Sequence, residues 1–242
     1  MPTQLHISAD PEAVARDFTR YLLEQLRDKK HFTIALSGGS TPKLLFRLWA
    51  AEYRDVIDWS AIHFFWGDER CVPPGDDESN FGMTKALLFD KVNVPEENIH
   101  RVHGEEEPEI EARRYAAEIA DNTEQFNGFP SFDLVILGMG DDGHTASIFP
   151  HEIALFKEER FCVVATHPTS GQKRVSITGP IINSAQRVAF LVTGANKNDK
   201  VNAIFQREEG YPSYPAAHVQ PVTGALHWFM DEAAMYDGSP NS

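Results

Sequence analysis

The sequence predicts an α/β fold: a mainly parallel sheet with helices on both faces, in one domain spanning residues 1–242. Three observations predict it. Short apolar runs alternate with stretches of helical spacing along most of the chain, which implies βαβ units. Runs such as residues 132–137 (Phe-Asp-Leu-Val-Ile-Leu) have the near-continuous apolar character of strands buried on both faces. The 242 residues are 42% hydrophobic, enough for a sizeable core, and no linker, repeat or low-complexity tract divides them.

The elements follow in order. Asp10 and Pro11 read as an N-cap and a first-turn proline, after which Val14, Phe18, Tyr21, Leu22, Leu23 and Leu26 recur at helical spacing. Residues 32–36 read as a strand, 42–49 as a helix start, 62–66 as a strand and 79–88 as a helix. A polar helix over 109–119 precedes the strand at 132–137. Strands at 161–165, 175–178 and 188–192 follow, with a helix over 197–205.

The net charge of −14 disfavours nucleic acid or an anionic membrane as a partner, since both would be repelled over most of the surface. An anionic substrate must therefore find a local basic site. Cys71 and Cys162 are too few for a disulfide framework and lie in no metal-ligand spacing, which suits a reducing compartment and small buried roles. The start, Met-Pro-Thr-Gln-Leu-His, has no basic segment followed by an apolar core, and no run of some twenty apolar residues occurs anywhere. A cytoplasmic location is expected.

The chemistry concentrates in loops. Gly138-Met139-Gly140-Asp141-Asp142-Gly143-His144-Thr145-Ala146-Ser147-Ile148-Phe149-Pro150 puts carboxylates and an imidazole on a glycine-rich turn at the carboxyl end of an expected parallel strand, the edge where such sheets bind ligands. Gly138-x-Gly140-x-x-Gly143 formally matches a dinucleotide-binding pattern. That reading fails because Asp141 and Asp142 stand where a pyrophosphate needs N–H groups, and Phe149-Pro150 follows too soon for a long crossover helix.

Ser37-Gly38-Gly39-Ser40-Thr41-Pro42-Lys43 follows the first expected strand and opens a helix, with Thr41 or Ser40 as N-cap and Pro42 at the first helical position. Free N–H groups and the positive helix end then converge, which binds phosphate. The Walker A spacing is absent, so a single sugar-type phosphate fits better than a nucleotide triphosphate. A third loop, Gly67-Asp68-Glu69-Arg70-Cys71-Val72-Pro73, leaves the strand at 62–66. Arg70 offers a planar fork to phosphate oxygens, with Asp68 and Glu69 to orient it or bind sugar hydroxyls. Glu105-Glu106-Glu107 reads as a solvated turn, and His100-x-x-His103 lacks the further ligands a metal site needs.

Taken together, Ser37-Gly-Gly-Ser-Thr-Pro42, Gly67-Asp-Glu-Arg70 with Val72-Pro73, Ser79-Asn80 and Gly140-x-Asp142-Gly-His-Thr-Ala-Ser147-Ile-Phe-Pro150 resemble the 6-phosphogluconolactonase family. Arg174-Val-Ser-Ile-Thr178, Thr193-Gly194-x-x-Lys197 and Asp231-Glu232-Ala233-Ala234 extend the likeness over almost the whole chain. The resemblance implies a Rossmann-like fold and hydrolysis of 6-phosphogluconolactone to 6-phosphogluconate, with no metal and no cofactor. It implies His144 as general base with Asp142 beside it. The same resemblance implies Arg70, Arg174 and Lys197 as phosphate ligands beside the turn Ser37, Gly38, Gly39, Ser40 and Thr41, with Asp68 among the substrate contacts. The expected partner is a phosphorylated sugar lactone, and the protein a monomer or small homo-oligomer.

The chemistry agrees with that expectation. A lactone carbonyl needs an activated water and a proton for the departing ring oxygen, and one imidazole can take and return that proton. A covalent route through Ser147 would compete, but no Gly-x-Ser-x-Gly elbow surrounds it. Glucosamine-6-phosphate deaminases share the phosphate turn and a Gly-x-Asp-Gly-His loop, but continue differently after the histidine. A binding-only sugar-phosphate sensor would need a DNA-binding appendage, for which the sequence leaves no room, and would be expected to lack His144 or Asp142.

Overall fold

The computed structural model describes residues 3–235; the expected domain span of 1–242 runs beyond them at both ends. The chain folds as β1 (Gln4–Ser8), α1 (Pro11–Leu26), β2 (Phe32–Leu36), α2 (Ser40–Glu52), β3 (Ile62–Trp66), β4 (Asp68–Arg70), α3 (Asn80–Thr84), α4 (Pro108–Asn122), β5 (Glu124–Phe126), β6 (Phe129–Ser131) and β7 (Leu134–Leu137). It continues with β8 (Cys162–Thr166), β9 (Lys173–Ile177), α5 (Gly179–Ser184), β10 (Arg187–Val192), α6 (Asn198–Gln206), β11 (Ala225–Asp231) and α7 (Glu232–Met235). Six strands form one sheet in the order β1-β11-β10-β7-β2-β3, and every pairing in it is parallel.

Alternation along each strand explains the apolar runs. Ile34 and Leu36, Leu134 and Ile136, Ala189 and Leu191 face one core, packed by Phe18 and Leu22 of α1 and Phe46 and Trp49 of α2. Ala35, Val135, Leu137, Val188 and Phe190 face the other, packed by Tyr115 and Ile119 of α4, Ile181 and Ile182 of α5 and Val201 of α6. Both faces are buried, so a polar side chain there, such as Thr33, needs a hydrogen-bond partner. Truncating a ring such as Phe190, wholly buried, costs about 3–5 kcal/mol.

The first helix is built as its sequence implies: Asp10 Oδ1 accepts the Ala13 N–H at 2.8 Å, with Pro11 following. Four expectations are corrected. The N-cap of α2 is Gly39, at φ +104°, so the helix begins at Ser40 rather than Pro42, and neither Ser40 nor Thr41 is the cap. A cap at positive φ suits glycine, and Pro42 is still tolerated because the first turn has spare N–H groups.

The expected helix over 79–88 is instead α3, capped by Ser79 Oγ on the Gly82 N–H at 2.9 Å, and then a π-helical stretch, Lys85–Phe89. The segment Gly67–Pro73 is not all loop, because its middle forms β4. The strands β8 and β9 do not join the parallel sheet: β4, β9 and β8 form a separate antiparallel one. The connection from Thr166 to Lys173 is a hairpin, too short for the crossover that parallel pairing requires.

Candidate active site

The strand order places a switch point between β2 and β7. From β2 the chain moves outward to β3, and from β7 it moves the other way, to β10. The loops at the two carboxyl ends diverge and leave a crevice. A cleft of about 720 Å³, open to solvent, occupies it. It is lined by Ser37 to Pro42 after β2, Asp68 and Arg70 of β4, Asn80 of α3, and Gly138 to Gly140 with His144 and Ala146 after β7. Arg174 of β9 and Thr193 and Lys197 after β10 complete it. Every residue expected in the site lines this cleft except Asp142, which stands behind His144, and Glu69, which turns away from it.

The imidazole is fixed by its own loop. Asp142 Oδ1 lies 2.6 Å from His144 Nδ1 and 3.1 Å from the His144 N–H. A carboxylate only accepts, so Nδ1 carries the hydrogen and Nε2 keeps a lone pair. Burial works against the Asp142 charge, but the hydrogen bond and charge of His144 outweigh it and hold the carboxyl at about 2. Gly140 N–H donates to the His144 carbonyl at 2.9 Å, and Thr145 Oγ1 donates to the Gly138 carbonyl at 2.9 Å. Gly140 has no freedom to be another residue: a Cβ there would stand 2.1 Å from His144 Nδ1. Ala146 sits at φ +48°, strain that a loop tied at both ends can hold.

In the turn from Ser37 to Thr41, Gly39 caps α2 without a side-chain hydrogen bond, so the first-turn N–H groups of the helix stay open to an acceptor. Thr41 Oγ1 lies 2.9 Å from Thr193 Oγ1, which joins the turn to the loop after β10. A Cβ on Gly38 would fall 1.9 Å from Asn80 Oδ1, so Gly38 is held by space rather than by φ.

The basic residues differ in their partners. Arg70 and Arg174 stand opposite each other in the β4–β9 ladder. Neither forms an ion pair among the described residues, and the Nε of each is buried without a hydrogen-bond partner. Burial lowers the Arg174 guanidinium from its ordinary value; Asp68 works against that, and Arg70 adds to it. Like charges side by side and short of acceptors form a place for an anion. Lys197, by contrast, is ion-paired with Asp141, which also accepts from Asn196 Nδ2 at 2.8 Å.

Asp68 and Ser147 form a buried pair. Ser147 is fully buried and donates to Asp68 Oδ2 at 2.6 Å, while Arg174 Nη1 lies 3.4 Å from the same hydroxyl. Glu69 turns away from the cleft: its carboxylate accepts the N–H groups of Arg70, Asn80 and Phe81 and the Ser79 hydroxyl, and so anchors α3. The histidines at 100 and 103 lie elsewhere, His100 between His63 and Glu118 and His103 beside Glu111.

Sequence reasoning gave no role to two residues that build the site. Asn80 lines the cleft and donates to the Asp68 carbonyl at 2.9 Å. Asp231, at the end of β11, accepts the Gly194 N–H at 3.0 Å and the Ala234 N–H at 2.9 Å, and so fixes the turn that carries Lys197. Their signals were an asparagine after a helix cap and a buried aspartate ending an apolar run.

The whole arrangement has counterparts. Residues 9–228 match the family described as glucosamine-6-phosphate isomerases/6-phosphogluconolactonase. A 6-phosphogluconolactonase of Haemophilus influenzae is 45% identical over 225 residues, 93% of each chain. One from Treponema pallidum is 46% identical over 199 residues, 82% of this chain and 83% of its own. The crystal structure of the devB protein superposes with a TM-score of 0.88 at 43% identity, covering 96% of this chain and 98% of that one. The chain belongs to the glucosamine-6-phosphate isomerase/6-phosphogluconolactonase family.

Proposed function

We propose that this protein hydrolyses 6-phospho-D-glucono-1,5-lactone to 6-phospho-D-gluconate, the lactonase step of the oxidative pentose phosphate pathway. The observation that carries the reading is a carboxylate-held imidazole sharing one cleft with two guanidiniums that lack ion-pair partners among the described residues. The relatives named 6-phosphogluconolactonase support it. So does the segment from Thr145 to Pro150 after the histidine, where deaminases diverge.

In this mechanism His144 Nε2 takes a proton from water as the water attacks the lactone carbonyl. Asp142 holds the ring tautomer and stabilises the imidazolium. The tetrahedral intermediate then expels the ring oxygen, and His144 returns the proton to it, giving a hydroxyl and a carboxylic acid that ionises. General acid–base assistance of this kind contributes about 10²–10⁴-fold. Arg70, Arg174, Lys197 and the turn from Ser37 to Thr41 bind the phosphate, and Asp68 completes the substrate contacts. Ser147 forms no acyl-enzyme, because its hydroxyl is buried and already donated to Asp68. The reaction needs no cofactor. A cytoplasmic location fits an enzyme of this substrate with two unpaired thiols.

The test compares three substrates. The purified protein is expected to hydrolyse the phosphorylated lactone at least about tenfold more efficiently than unphosphorylated gluconolactone, the value of one charge-assisted phosphate contact. It is expected to release no ammonia from glucosamine 6-phosphate. Equal rates on the two lactones would remove the phosphate argument, and ammonia release would replace the reading with the deaminase.

A further inference from the structure

The hairpin between β8 and β9 carries a histidine, His167, outside the motifs discussed above. Its Nδ1 faces the hairpin: the N–H groups of Thr169 and Ser170 approach it at 3.3 and 3.2 Å, and Ser170 Oγ lies at 3.1 Å. Backbone N–H groups only donate, so Nδ1 holds a lone pair and the ring hydrogen sits on Nε2. His167 is therefore a neutral imidazole whose Nε2–H is not used by the hairpin contacts of Nδ1.

It stands outside the cleft lining but next to residues that form it. The ring meets Phe149 edge to face, with centroids 5.3 Å apart at 83°. The same Phe149 carries the Arg174 guanidinium over its face at 5.6 Å and lies 4.7 Å from the His144 ring. One aromatic ring thus separates His167 from the catalytic imidazole and from a buried cation. The hairpin is held to the Arg70 side as well, because Gln172 Nε2 donates to Glu78 Oε2 at 2.9 Å and the Glu78 carbonyl accepts from Arg70 Nη1 at 2.7 Å. Within the hairpin, His167 N–H donates to the Gln172 carbonyl and Gly171 N–H to the His167 carbonyl, both at 2.9 Å. Burial and the nearby Arg174 and His144 lower the His167 pKa, which agrees with a neutral donor.

We propose that His167 Nε2–H donates to the substrate phosphate held by Arg70 and Arg174, and so serves as a specificity residue of the lactonase. This rests on the lactonase reading above. Each oxygen of a phosphate dianion can accept several hydrogen bonds, so a neutral N–H can add to those from Arg70, Arg174, Lys197 and the Ser37–Thr41 turn without adding repulsion between cations.

Two variants separate a substrate contact from a structural one. Asparagine reproduces Nδ1 with its Oδ1 and can still accept the Thr169 and Ser170 N–H groups, but has nothing at Nε2. Glutamine places its amide N–H near the Nε2 position and loses the acceptor toward the hairpin. For His167→Asn, KM for the phosphorylated lactone is expected to rise about tenfold or more, with kcat held within about threefold. His167→Gln is expected to stay within about threefold of the parent, and neither variant to change turnover of unphosphorylated gluconolactone.

Parent-like kinetics for His167→Asn would overturn the proposal. So would equal losses in both variants, or a loss of the same size on both lactones. Calorimetric binding of 6-phosphogluconate keeps the two readings apart. Weaker binding to His167→Asn alone would support the phosphate contact even if the parent failed to hydrolyse the lactone, a failure that would remove the lactonase reading. Binding equal in the parent and both variants would overturn the contact.

Discussion

Asp142 holds His144 twice with one oxygen, accepting the ring Nδ1–H at 2.6 Å and the backbone N–H at 3.1 Å. Side chain and backbone of the histidine are thereby fixed to the same point, and Nε2 keeps the lone pair that the proposed base needs. The carboxyl, held at about 2, is ionised across the working pH range. Asp142→Asn is expected to lower kcat about 10²-fold or more, since the amide can also stabilise the wrong tautomer. Steady-state rates of the parent and the variant check the loss.

Gly140→Ala places a methyl 2.1 Å from His144 Nδ1. The ring must leave its position against Asp142, so kcat is expected to fall about 10²-fold or more while the thermal midpoint changes little, because the clash is with the His144 and Asp142 side chains and not with the core. Comparing activity with the melting curve separates displacement of the base from unfolding. A variant with full activity would mean that the ring position in this loop does not matter.

Ser147→Ala tests the non-covalent route. The substitution leaves Asp68 Oδ2 without its buried donor and is expected to destabilise the protein by about 1–3 kcal/mol. It should retain far more turnover than His144→Ala, and mass spectrometry of quenched parent enzyme should find no acyl adduct. Equal collapse of the two variants would contradict this division of roles.

Two imidazoles make stability depend on pH. Burial chiefly, and neighbouring imidazoles with it, push His63 and His227 down to about 4 from an ordinary 6.5. His63 bonds to His100, and His227 to His6. Because the unfolded chain binds these protons first, their contribution is complete above about pH 6.5. It is lost as pH falls toward 4, at up to about 1.4 kcal/mol per pH unit for the buried His227 and less for the half-exposed His63. Denaturant melts between pH 7 and 4.5 should show the decline, and His227→Phe should flatten it.

The strands that position the cleft were legible because both of their faces are buried: β2, β3, β7 and β10 show as near-continuous apolar runs. The loops were legible because glycine, serine and charged residues gather where a strand ends. The rest was hidden for local reasons. β1, Gln-Leu-His-Ile-Ser, is a partly exposed edge strand whose Leu5 and Ile7 remain accessible. β11 contains His227 and ends in a buried aspartate, which broke the apolar pattern. The β5–β6 hairpin did carry a signal, Asn127-Gly128, with both residues at positive φ. The antiparallel β4–β9–β8 sheet depended on a hairpin length rather than on composition. The site's backbone-held details, Glu69 on α3 and Asp231 on Gly194, needed tertiary contacts that no local pattern encodes.

The most direct measurement is proton release on adding freshly made 6-phosphogluconolactone to the parent protein and to His144→Ala, each corrected for spontaneous hydrolysis. A fast parent reaction that falls about 10²–10⁴-fold in the variant, with 6-phosphogluconate still bound, is the expected result. A variant as fast as the parent would contradict His144 as the base, and a parent no faster than the uncatalysed reaction would contradict the lactonase itself.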